Sequence, residues 1–367
     1  MSDFDHFVGT QSVSEKQAFD VAALTGWLTL NLPGFKGPLT VESFKGGQSN
    51  PTYKLTTPTQ SYVMRAKPGP VAKLLPSAHA IEREFAVMRG LHGTDVPVPQ
   101  MFCLCEDESV IGRAFYIMEF MQGRILWDQT LPGMSTTERG AIYDEMNRVM
   151  AALHTVKFAD RGLAGYGKPG NYFDRQINRW SKQYLASADG AGPMSQPIEE
   201  MDQLIKWLPL HIPAMARAEH MVSIVHGDYR LDNLMFHPTE PRIIAVLDWE
   251  LSTLGHPLAD FSYHCMAWHI PPGSFRGIGG LDVTSLGIPE EADYIRLYCE
   301  RTGLTSPQAL KADWNFYLAY NLFRLAAILQ GIAKRVEMGT AASAQAVSSA
   351  AGAKPLAQMA WKFAQQA

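Results

Sequence analysis

The spacing of apolar and polar positions divides the chain into a strand-rich first third and a helical remainder. After polar residues 1–13, a helix is predicted from Ser14, with Gln17 completing a capping box and Phe19, Leu24, Trp27 and Leu28 on its buried face. Three alternating runs follow: one from Val41 to the Gly46-Gly47 turn, one over Thr52–Thr56, and one over Ser61–Ala66 after the turn at Pro58. His79–Leu91 has helical period, with Ile81, Phe85, Met88 and Leu91 on one face, and Pro97 and Pro99 close that unit. Met101–Cys105 and Ala114–Phe120 read as two more strands. Up to about residue 121 the pattern therefore predicts a small sheet with one helix against it.

Helical periodicity then takes over at Ser135–His154, Phe173–Tyr184, Glu199–Leu208, Pro289–Thr302, Pro307–Met338 and Leu356–Phe363. A β-rich island at Ile224–Asp248 interrupts it. Ser187–Gln196 and Pro271–Leu286, rich in glycine, proline and serine, read as mobile loops. No internal repeat is visible. The expected fold class is α+β.

Composition changes this picture little. The 367 residues are 46% hydrophobic and 19% charged, with a formal charge of −4. A chain like this buries a large core and is long enough for about two domains or one two-lobed unit. Disorder and a coiled coil are excluded. Without a strongly basic balance, no nucleic-acid partner is expected. Residues 1–13 do not resemble a signal peptide, and the apolar stretch Val21–Leu32 is too short to span a bilayer. A cytoplasmic chain with no membrane partner is expected. The four cysteines, Cys103, Cys105, Cys265 and Cys299, are too few for a disulfide scaffold and are expected to be reduced.

Chemistry concentrates in the β-rich island, where polar residues gather at one end of a hairpin-like unit. Asp228 and Asn233 lie five positions apart, and Asp248 closes the next strand before Trp249-Glu250. Taken singly, Asp228, Asp232 and Asn233 are ordinary loop residues that satisfy backbone groups. Together with Asp248 they form a set of hard oxygen ligands beside a carboxylate base. Such oxygens suit Mg²⁺ completed by substrate phosphates, and a second carboxylate can take the proton of an attacking hydroxyl.

The spacing is that of a kinase catalytic loop, with His226-Gly227-Asp228 where protein kinases have His-Arg-Asp and Asp248-Trp249-Glu250 where they have Asp-Phe-Gly. On these motifs, and on Gly255-His256-Pro257-Leu258-Ala259-Asp260, the chain resembles the aminoglycoside phosphotransferase and choline kinase-like enzymes. Within them it is most similar to bacterial relatives of the kinase domain fused to some acyl-CoA dehydrogenases. The resemblance covers residues 20–340 or so. It implies a protein kinase-like bilobal fold: a small N-lobe over 1–121 with an antiparallel sheet and a helix, a larger, mainly helical C-lobe over 122–367, and an active site between them. It makes Asp228 the general base, gives Mg²⁺ to Asn233 and Asp248, and lets Asp260 brace the catalytic loop. His226 orients that loop through hydrogen bonds. Arg230 either neutralises the transferring phosphate or is solvated.

The same resemblance places ATP against the first lobe. The turn between the first two strands matches the family's phosphate-covering loop, with Gly46, Gly47, Ser49 and Asn50 toward the phosphates; it is not a Walker A loop. Val63, Arg65 and Lys67 share a strand face. The family pattern selects Arg65 as the phosphate-holding cation, with Lys67 the alternative, and Glu84 as its partner, with Glu82 second. Tyr116–Met121 becomes the hinge, whose backbone groups at Glu119 and Met121 read the adenine edge while Val63 and Met118 flank the ring. ATP versus GTP stays open.

The acceptor is less legible. Asp260 follows Asp248 by twelve positions and no Ala-Pro-Glu motif follows, so a small-molecule hydroxyl is expected rather than a peptide. No acidic cluster suited to polycationic aminoglycosides occurs over 310–335. Tyr317, Tyr320, Asn321 and Arg324 form one helical stripe, read either as the acceptor-binding wall or as a solvated face. Arg175, Arg179 and Lys182 share another face, read as a contact for a CoA phosphate or as a plain solvated one. The expected activity is ATP- and Mg²⁺-dependent phosphoryl transfer to a small-molecule hydroxyl, with a hydroxyacyl-CoA as a candidate. The alternatives are an aminoglycoside, amino-alcohol or sugar kinase, a non-catalytic pseudokinase, and a metal phosphohydrolase that needs further ligands upstream. The oligomeric state is open.

Overall fold

A computed structural model describes residues 9–45, 50–69, 80–218, 220–273, 275–340 and 346–367. Its elements in chain order begin with β1 (Thr10–Gln11), α1 (Val21–Asn31), β2 (Thr40–Phe44), β3 (Thr52–Thr56), β4 (Ser61–Ala66), α2 (Ile81–Leu91), β5 (Met101–Cys105), β6 (Phe115–Glu119) and β7 (Arg124–Ile125). Then come α3 (Thr136–Thr155), α4 (Tyr172–Ser187), α5 (Glu199–Trp207), β8 (Ser223–Val225), β9 (Leu234–Phe236), β10 (Ile243–Val246) and β11 (Thr253–Gly255). The last are α6 (Pro257–Cys265), α7 (Val283–Leu286), α8 (Glu291–Thr302), α9 (Pro307–Glu337), α10 (Ala346–Ala350) and α11 (Ala353–Ala364).

The chain forms two compact units: Met1–Trp127 with Lys157–Tyr166 and Asp232–Ser252, and Asp128–Val156 with Gly167–Leu231 and Thr253–Ala367. This interleaving differs from the contiguous division expected at residue 121. The cause is pairing. Strand β9 aligns with β7, Arg124 opposite Phe236, and the Val246 N–H donates to the Pro97 carbonyl at 2.9 Å. The β9–β10 hairpin therefore belongs to the first unit.

In that unit a six-stranded sheet runs in the order β1-β2-β3-β4-β6-β5, every neighbouring pair antiparallel. Strand alternation sends Tyr53, Leu55, Tyr62, Met64, Phe115 and Ile117 into one apolar cluster with Leu24 and Leu28 of α1. Helix α1 starts later than its sequence suggests. Ser14 leads only a short 3-10 turn at Glu15–Gln17 and makes no side-chain cap. The cap is Asp20, whose carboxylate accepts the Ala23 N–H at 2.9 Å. An Asp directly before the apolar run outcompetes a serine six residues upstream.

The second unit is helical around α9, with α4, α6, α10 and α11 packed on it and α3 on α8. A complete capping box of Ser135 and Glu138 starts α3. By length and composition α9 would cross a membrane, yet 89% of its apolar window is buried inside the protein, as in a core helix. The two segments read as mobile loops are tied down. Met194 N–H donates to Glu337 at 2.5 Å and Lys334 pairs with Asp189 at 2.6 Å. The Gly279 N–H donates to the Ile270 carbonyl at 2.8 Å, and α7 lies in the same segment. All four cysteines are free thiols.

Candidate active site

In the first unit the central cation is Arg65 on β4. Its Nε lies 2.9 Å from Glu84 Oε2 on α2, and its Nη2 lies 2.9 Å from Asp248 Oδ1, with Glu250 Oε2 at 3.8 Å. Glu84 is 2% exposed and is held from three sides. Its other contacts are donors: Asn50 Nδ2 at 2.9 Å and the hydroxyl of Tyr116, which stands opposite Arg65 in the β4–β6 register, at 3.1 Å. Burial alone would lower the Arg65 pKa, but Glu84, Tyr116 and Asp248 raise it. Burial pushes the Glu84 carboxyl up, and Arg65 pulls it back. Lys67 instead makes a partly exposed pair with Glu82 at 3.2 Å. The geometry thus favours Arg65 over Lys67 and Glu84 over Glu82.

Asn233 and Asp248 sit at one end of the β9–β10 hairpin. Val246 pairs with Leu234, and the Leu247 N–H donates to the Asn233 carbonyl at 2.8 Å. The sharp turn after β10 puts Asp248 in the left-handed region, φ 62° and ψ 60°. A non-glycine residue there carries about 1–2 kcal/mol of strain, which concentrates at functional sites. Trp249 secures the turn, its indole N–H on the Val246 carbonyl at 2.9 Å. An amide oxygen and a carboxylate are hard donors and fit Mg²⁺, which keeps waters and takes phosphate oxygens as further ligands. Among the described residues no group of three or more His, Cys, Asp or Glu is arranged to hold a metal.

In the second unit Asp260, at the start of α6, organises the segment after β8. It accepts the His226 N–H at 2.6 Å, the Gly227 N–H at 2.9 Å and His154 Nε2 at 3.3 Å. Burial by itself would raise the Asp260 carboxyl, but His154 and the His226 N–H carry it below the usual carboxylate range. His154 Nδ1 is in turn 2.7 Å from the Tyr298 hydroxyl. Gly227 has φ +83°, where only glycine is relaxed, and its carbonyl accepts Arg324 Nη2 at 2.7 Å. His226 Nδ1 accepts the Asp228 N–H at 3.2 Å. Asp228 Oδ1 accepts the Tyr263 hydroxyl at 2.5 Å and lies 3.1 Å from Arg230 Nε. Arg230 is therefore paired with the candidate base.

The remaining expected site residues fall as follows. Gly46, Gly47 and Ser49 lie outside the described residues. Asn50 is described, buried, and directs its amide to Glu84. The Glu119 N–H pairs with the Gln100 carbonyl at 2.9 Å, so this donor serves the sheet edge and does not face an adenine. The register sets Glu119 opposite Tyr62 and Val63 opposite Met118. The Tyr317, Tyr320, Asn321 and Arg324 stripe is neither an open wall nor solvated: all four are buried. Tyr317 stacks on His256, Tyr320 meets Phe173, and Asn321 Nδ2 donates to the Ala259 carbonyl and Ser262 Oγ at 2.9 and 2.7 Å. These three pack α9 against α4 and α6, while Arg324 holds the Asp228 segment. Arg175 turns back onto the Lys168 carbonyl at 2.6 Å, and Arg179 lies over the Trp180 ring. Tyr263 and His154 were missed by sequence reasoning. The signal for Tyr263 was available, since it follows Asp260 by three residues on a helix opened by Pro257.

Residues 40–309 match the model of the phosphotransferase enzyme family. Acyl-CoA dehydrogenase family member 10 of Mus musculus is 46% identical over 331 residues, which cover 89% of this chain and 29% of that protein. The chain spans less than half of the curated relatives it matches, 44% in the case of Rattus norvegicus acyl-CoA dehydrogenase family member 11. A crystal structure from Ralstonia eutropha JMP134, provisionally named an aminoglycoside phosphotransferase, is 62% identical with a TM-score of 0.86, covering 95% of this chain and 99% of that one. A thermostable aminoglycoside phosphotransferase variant in ternary complex with ADP and hygromycin B shares the fold at 16% identity, with a TM-score of 0.57 over 93% of this chain and 98% of that one.

Proposed function

The chain belongs to the phosphotransferase enzyme family and has its α+β kinase-like fold; from that premise we propose that it moves the γ-phosphate of ATP to a hydroxyl of a small molecule, with a hydroxyacyl-CoA as acceptor. The observation that carries the reading is Arg65, shared at 2.9 Å between the buried Glu84 and Asp248. This is the cation, helix glutamate and metal aspartate that a kinase uses to hold nucleotide phosphates. The ADP complex of a fold neighbour favours ATP as donor. The acyl-CoA dehydrogenase names of the curated relatives favour a CoA-borne acceptor.

In this reading Asn233 and Asp248 would hold Mg²⁺, which would supply positive charge to the phosphate oxygens. Arg65 holds the α/β end. Asp228 orients the acceptor hydroxyl and takes its proton as the acceptor oxygen bonds to the γ-phosphorus. The bond from that phosphorus to the bridging oxygen breaks, and ADP leaves with the electron pair. Little covalent chemistry is asked of the protein, so positioning and charge dominate the rate.

The test is ADP release from MgATP across hydroxyacyl-CoAs, aminoglycosides, choline and sugars, repeated with Asp228→Ala. A hydroxyacyl-CoA should give the fastest release, and the variant should lose transfer while still binding ATP. Unchanged turnover in the variant would remove Asp228 as base. Preference for an aminoglycoside would replace the acceptor class.

A further inference from the structure

Helix α6 grips the Asp228 segment at two levels. Asp260 and Tyr263 are three residues apart and so stand one above the other on the same helix face. Asp260 takes the backbone, through the N–H groups of His226 and Gly227. Tyr263 takes the Asp228 side chain, its hydroxyl 2.5 Å from Oδ1. That length is typical of a hydroxyl donating to an ionised carboxylate. The same oxygen lies 3.1 Å from Arg230 Nε. Two partners on one oxygen restrain the carboxylate.

Tyr263 is itself held still. It is 7% exposed, and the Arg324 guanidinium sits 5.1 Å from its ring centroid. Arg324 in turn donates to the Gly227 carbonyl at 2.7 Å, one residue before Asp228. A closed circuit therefore runs from Gly227 through Arg324 and Tyr263 to Asp228. Burial, and then Asp228, raise the pKa of the phenol, so it stays protonated and remains a donor throughout the working range. Buried Tyr229 places its hydroxyl on the Met146 carbonyl, whereas buried Tyr116 places its own on the Glu84 carboxylate, as Tyr263 does on Asp228.

We propose that Tyr263 is a positioning residue for phosphoryl transfer, fixing the Asp228 carboxylate through its hydroxyl in the orientation that receives the acceptor's proton. The inference rests on Asp228 as base, and its test separates the two.

Tyr263→Phe removes one oxygen and leaves the ring beside Arg324. ADP release from MgATP is measured in the full chain with the acceptor selected by the screen above and, side by side, with water as the only acceptor. The expected result is a fall in kcat of about 10- to 100-fold, the scale of a misplaced reacting group, with the KM for ATP within about twofold and an unchanged melting temperature. In an Asp228→Asn background the same substitution should change the residual rate by less than about twofold, because its effect runs through the Asp228 carboxylate. A wild-type kcat in Tyr263→Phe overturns the proposal, and so does an equal loss in both backgrounds. Turnover that survives in Asp228→Ala overturns the underlying assignment of the base instead. Should Tyr263→Phe not fold, 3-fluorotyrosine at 263 keeps the ring and hydroxyl and alters only donor strength. An altered kcat then supports the proposal, and an unaltered one refutes it.

Discussion

Mild acid should destabilise this protein through two histidines well above the range in which its carboxylates titrate. His256 and His264 are 1% and 4% exposed. His256 caps α6, its Nδ1 accepting the Leu258 N–H at 3.2 Å, so a proton on that nitrogen would face another donor. Burial lowers its pKa to about 3, with Met215 pulling back and His154 and His220 adding to the shift. His264 Nε2 lies 2.9 Å from the Tyr294 hydroxyl; burial lowers its pKa to about 4 against the pull of Asp260. In the unfolded chain both titrate near 6.5. Below that pH the unfolded state binds more protons than the folded one. Stability is therefore fully present above about 6.5 and is lost as pH falls toward the folded values. Between pH 7.5 and pH 5 each histidine contributes about 2 kcal/mol to the loss, or about 4 kcal/mol for the pair. That is a large share of the 5–15 kcal/mol typical of a folded domain. Asp260, whose carboxyl lies below its ordinary range, adds its loss only at lower pH. The assay is urea unfolding followed by tryptophan fluorescence at several pH values across this window. The comparison is a His256→Asn/His264→Gln protein, in which Asn keeps an N-cap acceptor and neither residue titrates. The native chain should lose stability steeply and the double variant much less. Equal slopes, or a native chain that is flat from pH 7.5 to 5, would refute the reasoning.

Arg65→Lys replaces a guanidinium that bridges Glu84 and Asp248 with a point charge, and should raise the KM for ATP about tenfold. Steady-state ADP release measures it, with Lys67→Ala as the control expected to stay within about twofold; the reverse ranking would transfer the role to Lys67. Asp260→Asn leaves an amide facing donors that now meet a carboxylate, and should cost about 3–5 kcal/mol, read as a lower urea midpoint. A change below about 1 kcal/mol would show that His226 and Gly227 do not depend on it.

What the sequence disclosed follows how locally each feature is encoded. Strands β3 and β4 were legible because alternation and a turn at Pro58 specify them without outside help. Strand β1 was not, since two residues carry no period and its existence depends on β2. The Ser14 capping box is a valid local pattern, but Asp20 offers the same chemistry at the edge of the apolar run. Asp228, Asn233 and Asp248 were readable because their spacing lies on one short segment. The hydrogen bonds of Tyr263 to Asp228 and of His154 to Asp260 join residues 35 and 106 positions apart, beyond any local pattern. The Tyr317–Arg324 stripe shows the same limit. Helical period tells which residues share a face, not what covers it, and here Ala259, Ser262 and Gly227 supply buried partners for the Asn321 amide N–H and the Arg324 guanidinium.

Asp248 brings these levels together. The turn after β10 forces it into a left-handed conformation that glycine or asparagine adopts at less cost. Its carboxylate is the reason for an aspartate there, and Arg65 already holds that group at 2.9 Å. The same guanidinium is shared with Glu84, so this corner of the unit carries a negative excess before Glu250, at 3.8 Å, is counted. Asn50 and Tyr116 steady Glu84 without adding charge. A strained acidic residue and an incompletely neutralised carboxylate pair beside a hard amide oxygen are what a divalent cation with bound phosphates would complete.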